Sequence, residues 1–400
     1  MPKTLATRLT AQGQRHVRAG HPWVYSDSIE QLKGEGAPGD LAVIFDRRRD
    51  TFMAVGLYDP ASPIRIKVLH AGKPTRVNAE FFAERIERAF TRRTDLRATD
   101  TNAYRLINGE NDGFPGLIVD VYAEVLVVKV YTEAWVPWFA ALQPALLAYS
   151  GAGVLVLRLA RTVQGSGTLP QNWADGAVLY GELDDPVVVF REHGVRLKAN
   201  VLLGHKTGFF LDHRAGRKRV GELAAGRRVL DVFSYAGGFA VHALMGGARE
   251  VTCVDISQQA LQLATKNAAL NVDEADERLR TLAGDAFEVM ARLQSEGELF
   301  ELVVVDPPSF AKRASEVPGA LQAYRRLTRL ALPVVAAGGV LVLASCSARV
   351  PATEFHALQE QVLRESGVNY EVLDRTGHDV DHPVSFAEGA YLKTLWVKIK

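Results

Sequence analysis

From residue 229 to the C-terminus, near-continuous apolar runs alternate with longer amphipathic stretches. The runs fall at 229–233, 250–256, 280–284, 302–306 and 339–345, and segments with helical spacing, such as 257–270 and 321–336, separate them. Apolar runs of this kind mark strands buried on both faces, and their alternation with helices predicts a doubly wound, mostly parallel α/β sheet. Two last runs, 370–373 and 391–397, are joined by a long loop without a crossover helix. That connection predicts an antiparallel closing pair, for seven strands in all.

The front of the chain has a different rhythm. Short runs at 41–45, 52–57 and 64–68, the last with period two, are separated by turn-rich Pro38-Gly39-Asp40, 46–50 and 59–63. They predict a small β-barrel over 1–72. Asn78 then caps a helix in which Phe82, Ile86 and Phe90 form one stripe, with Arg85, Arg88, Arg92 and Arg93 assigned away from it. Strands at 116–121 and 125–130, a helical stretch near 134–149 and a hairpin around His193-Gly194 follow. The expected organisation is therefore a β-barrel at 1–72, a middle α+β domain at 75–190 and an α/β domain at 191–400.

Charge sharpens this division. The chain of 400 residues carries 47 Lys and Arg against 46 Asp and Glu, a formal net charge of +1. Residues 1–110 hold 18 of the bases and 13 of the acids, so a basic front is masked by an acidic remainder. The basic tip Arg47-Arg48-Arg49 fits a solvated hairpin or a phosphate contact. Two cysteines, Cys253 and Cys346, exclude a disulfide scaffold and a multi-cysteine metal site. The first residues have no apolar core of signal length, and the most apolar stretch, 332–344, is too short to span a bilayer. The expectation is a soluble, cytoplasmic protein with no metal and no membrane partner.

In a doubly wound sheet, ligands sit beyond the carboxyl ends of the strands. Strand one ends in Asp231-Val-Phe-Ser234-Tyr235-Ala236-Gly237-Gly238, which is not the Gly-x-Gly-x-x-Gly of dinucleotide enzymes. Strand two ends in Asp255, strand three in Gly284-Asp285, strand four in Asp306-Pro307-Pro308 and strand five in Ser345-Cys346-Ser347. Four successive strand-end acids suit a ligand with ribose hydroxyls, an adenine amine and a cationic centre, and they would repel a pyrophosphate. S-adenosylmethionine fits that description and NAD does not.

These segments resemble the motifs of class I S-adenosylmethionine-dependent methyltransferases. More narrowly, the stretches Gly204-His-Lys206 through Arg214, Phe233 through Phe239, Asp306 through Phe310 and Asp381-His382-Pro383 through Lys393 are similar to those of RlmI/RlmO-type large-subunit (23S) rRNA cytosine-5 methyltransferases. So is Arg105 through Gly116, and the front strands with Gly20-His-Pro-Trp23 look like that family's PUA domain, an RNA-binding module. The resemblance implies a Rossmann-like methyltransferase sheet and an rRNA partner whose target base is flipped out. Its cofactor pocket would take in Phe209, Arg214, Asp231, Ser234, Tyr235, Ala236, Gly237, Phe239, Asp255, Ile256, Ser257, Asp285, Ala286 and Asp306. Lys206, Asp212, Pro307, Phe310 and His382 match the family motifs as substrate-side candidates. Arg214 could pair with the methionine carboxylate, and Lys206 or His382 could meet the base or a phosphate. Edge strands in the middle domain leave a homodimer open.

C5 of cytosine is a weak nucleophile until a thiolate adds at C6. The chemistry then needs a cysteine at the cofactor pocket and a group on the N3 edge of the base. Cys346 and Asp306, at the ends of neighbouring strands about 4.8 Å apart, are assigned these roles. Cys253 lies inside strand two and is expected in the core, about three strand spacings from Cys346 and beyond disulfide reach. Many cytosine-5 methyltransferases carry a second cysteine in Asp-x-Pro-Cys, where this chain has Ser309; the RlmI-type branch is likewise single-cysteine. Two other readings are a base-nitrogen methylase that uses Asp306-Pro-Pro without a thiolate, and a non-catalytic RNA-binding protein.

Overall fold

The alternation in the C-terminal half folds as a seven-stranded sheet. In a computed structural model that describes residues 2–165, 167 and 169–400, its strands are Arg228–Val232, Glu250–Asp255, Leu279–Ala283, Phe300–Val305, Val335–Ser345, Tyr370–Thr376 and Lys393–Ile399. Numbered in chain order, they lie side by side as 3-2-1-4-5-7-6. The first five are mutually parallel, and the seventh runs antiparallel to the fifth and the sixth. Val229, Leu230, Val303 and Val304 are fully buried, which is why the central strands read as unbroken apolar runs. Cys253 is buried in strand two and Cys346 partly exposed beyond strand five; both are free thiols.

Several boundaries differ from the expectation for local reasons. The predicted helix at 321–336 is Val317–Ala331, because Pro333 cannot continue it and Val335 already begins strand five. Strand one stops at Val232, since Phe233 takes φ 66° and turns the chain out of the sheet. Gly237 also has positive φ, 74°, at the N-cap of the helix Gly238–Met245. Added to Gly237, a Cβ would stand 2.7 Å from Ala264 Cβ. The glycine therefore serves a left-handed turn and a close helix contact. Gly237→Ala is expected to lower unfolding stability by about 1–3 kcal/mol, measurable as a lower urea midpoint with an unchanged slope.

Two compact units divide the chain. One comprises Met1–Phe190, Ala199–Leu211 and Val380–Phe386; the other comprises Arg191–Lys198, Asp212–Asp379 and Ala387–Lys400. Within the first, a six-stranded sheet is formed by Thr4–Leu9, Trp23–Tyr25, Ile29–Leu32, Leu41–Phe45, Phe52–Tyr58 and Ile64–Ala71. A five-stranded sheet follows, in which the strands predicted at 116–121 and 125–130 are Leu117–Tyr122 and Val125–Val130, flanked by Ala103–Asn108 and Val154–Leu159. The two sheets share one core, where Val55, Leu57 and Leu69 pack with Phe82, Trp135 and Leu157. Asp59 ties them further, accepting from Lys67 Nζ at 2.8 Å and from Thr132 Oγ1 at 2.5 Å.

The Asn78 cap forms as expected, accepting from Phe81 N at 3.0 Å, and Phe82 and Ile86 are buried. Arg93 departs from its expected place away from the stripe: it is fully buried. Its guanidinium pairs with Asp112 (2.6 Å) and donates to the carbonyls of Ala89, Arg105 and Asp381 (2.9 Å each). The neighbouring motif is a clamp of the same kind. Arg105 holds Asp120 through two bonds of 2.8 and 2.9 Å, its backbone N donates to Asp381 Oδ2, and Asn108 Nδ2 donates to the Pro383 carbonyl. At the basic tip, Asp46 Oδ1 accepts from the backbone of Arg48 and Arg49, and Arg47 pairs with Glu30. A cavity of about 510 Å³ is lined there by Arg8, Glu30, Gln31 and Arg47. No helix among the described residues is long and apolar enough to cross a membrane.

Candidate active site

The carboxyl edge of the sheet carries the predicted acids, each held in its own way. Asp231 is buried at 1% exposure. Its Oδ2 accepts from Ala240 N at 3.1 Å, while Oδ1 has no donor among the described residues. Burial pushes its carboxyl up to about 8, and the nearby charges of Asp306 and Asp255 push the same way. Asp231, Asp255 and Asp306 therefore share one electrostatic basin, and a cation placed there would be welcome.

The loop after strand one brings backbone close to that basin. Phe233 N and Ser234 N both donate to the Val254 carbonyl, and Tyr235 N donates to Asp255 Oδ2 at 2.9 Å. The other oxygen of Asp255 takes Ser257 N at 2.8 Å, leaving further lone pairs for a hydroxyl. Burial, then the Asp255 charge, raises the Tyr235 phenol above its ordinary value. Ser234, Ala236 and Phe239 are buried, and Phe239 packs edge-on against His213 at 5.4 Å between ring centres. Ile256 is 77% exposed, an isoleucine standing in the open beside the strand-two acid. Ser257 and Asp285 are helix N-caps, accepting from Ala260 N and from Phe287 N and Glu288 N respectively, and Ala286 is buried behind Asp285.

Strands four and five end together. Cys346 Sγ lies 3.9 Å from the Pro307 carbonyl, one residue after Asp306. Tyr324, on the helix Val317–Ala331, bonds to Ser345 Oγ (2.8 Å) and Ser347 Oγ (2.9 Å), so both neighbours of the thiol are clamped. Ser309 Oγ also meets Ser347 Oγ at 3.1 Å. Phe310 packs against Tyr324 at 5.2 Å and belongs to the rim of the domain core.

The remaining predicted residues have partners of their own. Arg214 is fully buried at the start of its helix and pairs with Asp379 at 3.1 Å; Asp212 accepts from Tyr391 Oη at 2.9 Å. Lys206, Phe209 and His382 belong to the first unit. Lys206 Nζ lies over the Phe210 ring, Phe209 packs against Phe190, and His382 is fully buried with Nδ1 2.9 Å from Asp381 Oδ1. Two groups at the site were not singled out by the sequence reading. His213 Nε2 stands 3.5 Å from Asp306 Oδ1, and Lys393 is buried beside Ser347. Both lie inside motifs that the family resemblance had marked, but a motif carries no information about which side chain turns inward. Among the described residues no group of three or more His, Cys, Asp or Glu could hold a metal ion.

The profile of an S-adenosylmethionine-dependent methyltransferase matches residues 112–396. The chain belongs to this family. A PUA-like domain matches residues 8–71. A protein from Deinococcus radiodurans named "Ribosomal RNA large subunit methyltransferase" is 45% identical over 99% of this chain and 97% of its own length. The "Ribosomal RNA large subunit methyltransferase I" of Aeromonas salmonicida, an RlmI protein, is 33% identical over 95% and 96%. These full-length matches put the chain in the RlmI branch of the family. Two solved structures share the fold. A protein from Streptococcus mutans assigned to the SAM-dependent methyltransferases has a TM-score of 0.80 at 20% identity, covering 98% of this chain and 99% of its own. SMU.776, solved in complex with SAH, has a TM-score of 0.81 at 21% identity, covering 99% and 100%. The methyl donor is thus S-adenosylmethionine. The strand-end acids, the unpartnered Asp231 oxygen among the described residues and the open Ile256 side chain supply acceptors and an apolar face that fit it.

Proposed function

We propose that this methyltransferase modifies C5 of a cytosine in large-subunit ribosomal RNA, with Cys346 as a transient covalent nucleophile. The observation that carries the reading is the single thiol at the carboxyl edge, 3.9 Å from the Pro307 carbonyl and beside the Asp306 strand end. Names of the full-length relatives supply the RNA class. Residues 1–72 and 75–190 would position the RNA, and 191–400 would perform the chemistry.

Asp255 would hold the ribose hydroxyls, Ile256 the adenine face, Asp285 the adenine amine and Asp231 the cationic methionine end, with the loop 234–239 and Ala286 as walls. The bound group supplies an electrophilic methyl on sulfur. Everything else falls to the chain. The Cys346 thiolate forms a bond to C6, and the C5=C6 π pair moves to C5, which becomes nucleophilic. Asp306 holds N3 and the exocyclic amine, with His213 Nε2 3.5 Å from its Oδ1. After methylation, loss of the C5 proton returns its electron pair to C5=C6 and expels the thiolate. The tilted packing of Phe310 against Tyr324 at the rim of the core favours this reading over base-nitrogen methylation, in which an aromatic at that place would stack on the base.

Ribosomal RNA carrying 5-fluorocytidine, incubated with the protein and S-adenosylmethionine, is expected to form a covalent adduct on the Cys346 peptide. Fluorine at C5 cannot leave as a proton, so the adduct persists in denaturant and is read by peptide mass spectrometry. Full methyl transfer with no adduct at any peptide would reject the thiolate mechanism.

A further inference from the structure

Lys393 is an unusual residue to find at the inner edge of this sheet. It stands opposite Ser345 in the antiparallel pairing of strands five and seven, and it is 1% exposed. Its Nζ donates to the carbonyls of Ser347 and Tyr391, the latter at 3.1 Å. Ser345 and Ser347 flank Cys346, so the ammonium is anchored to the same short turn that presents the thiol.

No carboxylate pairs with Lys393 among the described residues, and an ammonium buried without a counter-charge is costly. The two carbonyl acceptors take up two of its three hydrogens without neutralising its charge. Burial draws Lys393 down to about 8, and the charge that supports its protonation is the Cys346 sulfur. Other groups also face this pair. Tyr324 and Asp306 lie on the Cys346 side, where the carboxylate opposes a second negative charge. His356, on the helix Ala352–Glu365, feels Lys393, and burial keeps its imidazole below the ordinary value and hence neutral. A buried ammonium anchored to the turn that carries the thiol favours the ionised form of that thiol.

We propose that Lys393 is a positioning residue whose ammonium holds Cys346 as a thiolate at neutral pH. Its catalytic meaning rests on Cys346 being the nucleophile; the ionisation itself does not. The two groups share their protons as a coupled pair, so the first proton leaves from sulfur while the amine keeps its own. Above about pH 8 the ammonium is lost and its support ends.

Iodoacetamide alkylation of the full chain without RNA, followed at the Cys346 peptide from about pH 5.5 to 9.5, tests this. The wild-type rate should reach half its maximum at least about one unit below the ordinary thiol value near 8.5. Lys393→Met, which keeps the length and removes the charge, should move that midpoint up by about one unit and slow alkylation at pH 7 about tenfold. Lys393→Arg, which keeps a cation, should leave the midpoint low. A wild-type midpoint above about 7.5 overturns the proposal even if the methionine variant fails to fold. So does a folded Lys393→Met protein with the wild-type profile. Methyl transfer by Cys346→Ala would instead reject the nucleophile, and would leave the Lys393 assignment standing if the midpoint is low.

Discussion

Cys346→Ala is expected to lower methyl transfer to ribosomal RNA by at least about 10³-fold, while S-adenosylmethionine binds within about twofold of wild type. The size follows from the proposed chemistry: without addition at C6, C5 of cytosine would have too little electron density to attack the sulfonium methyl. The selectivity follows from the geometry. The Sγ contact is with the Pro307 carbonyl, whereas Asp231, Asp255 and Asp285, the acids proposed to meet the cofactor, are held by the backbone N–H groups of Ala240, Tyr235 and Phe287. Truncation of a partly exposed thiol also costs little folding energy, because Tyr324 still clamps Ser345 and Ser347. Single-turnover assays for transfer and calorimetry for binding separate the two quantities. Transfer within about tenfold of wild type would remove Cys346 from the mechanism and return the choice to base-nitrogen chemistry. A parallel loss of binding would mean that the substitution had disturbed the strand edge.

Much of this site was legible because a parallel sheet aligns its strand ends. Once 229–233, 250–256, 280–284 and 302–306 are read as successive strands, Asp231, Asp255, Asp285 and Asp306 must share an edge, whatever the loops do. The observed order 3-2-1-4-5-7-6 is the usual one for this fold, and it separates Cys253 from Cys346 by three strand spacings, as expected. What stayed hidden depends on partners remote in sequence. Strand Ala103–Asn108 has no clean period, because Arg105 and Asn108 point into a polar core built with Asp120, Asp381 and Pro383. Arg93 reads as a solvated helix residue until Asp112 and the Asp381 carbonyl are placed around it. Lys393 is spelled in the sequence as one more strand-seven residue, and only the pairing with Ser345 shows what it faces. Gly237, expected in the cofactor pocket, also makes a left-handed turn packed closely against Ala264, which no motif announces.

Asp231→Asn should weaken S-adenosylmethionine binding by about 10- to 100-fold and at the same time make the ligand-free protein more stable above neutral pH. Both effects come from one buried carboxyl. With its value raised to about 8 by burial and by Asp306 and Asp255, the folded protein keeps a proton that the unfolded chain has lost by about pH 4. Between these limits the native state binds more protons than the unfolded state. Stability therefore falls as pH rises, by up to about 1.4 kcal/mol per unit, and levels off beyond about pH 8. An asparagine keeps the acceptor for Ala240 N and never ionises, so that decline disappears. Binding has the opposite sign: a cationic ligand end favours the carboxylate, so wild-type affinity should strengthen as pH rises towards about 8, with a proton released on binding below it. Calorimetry in two buffers of different ionisation enthalpy counts that proton, and melting temperatures at about pH 5.5 and 8.5 follow the stability term. Wild-type binding without proton release near pH 7, or an asparagine variant that melts below wild type at both pH values, would mean that Asp231 is a structural acid and does not answer to the cofactor's charge.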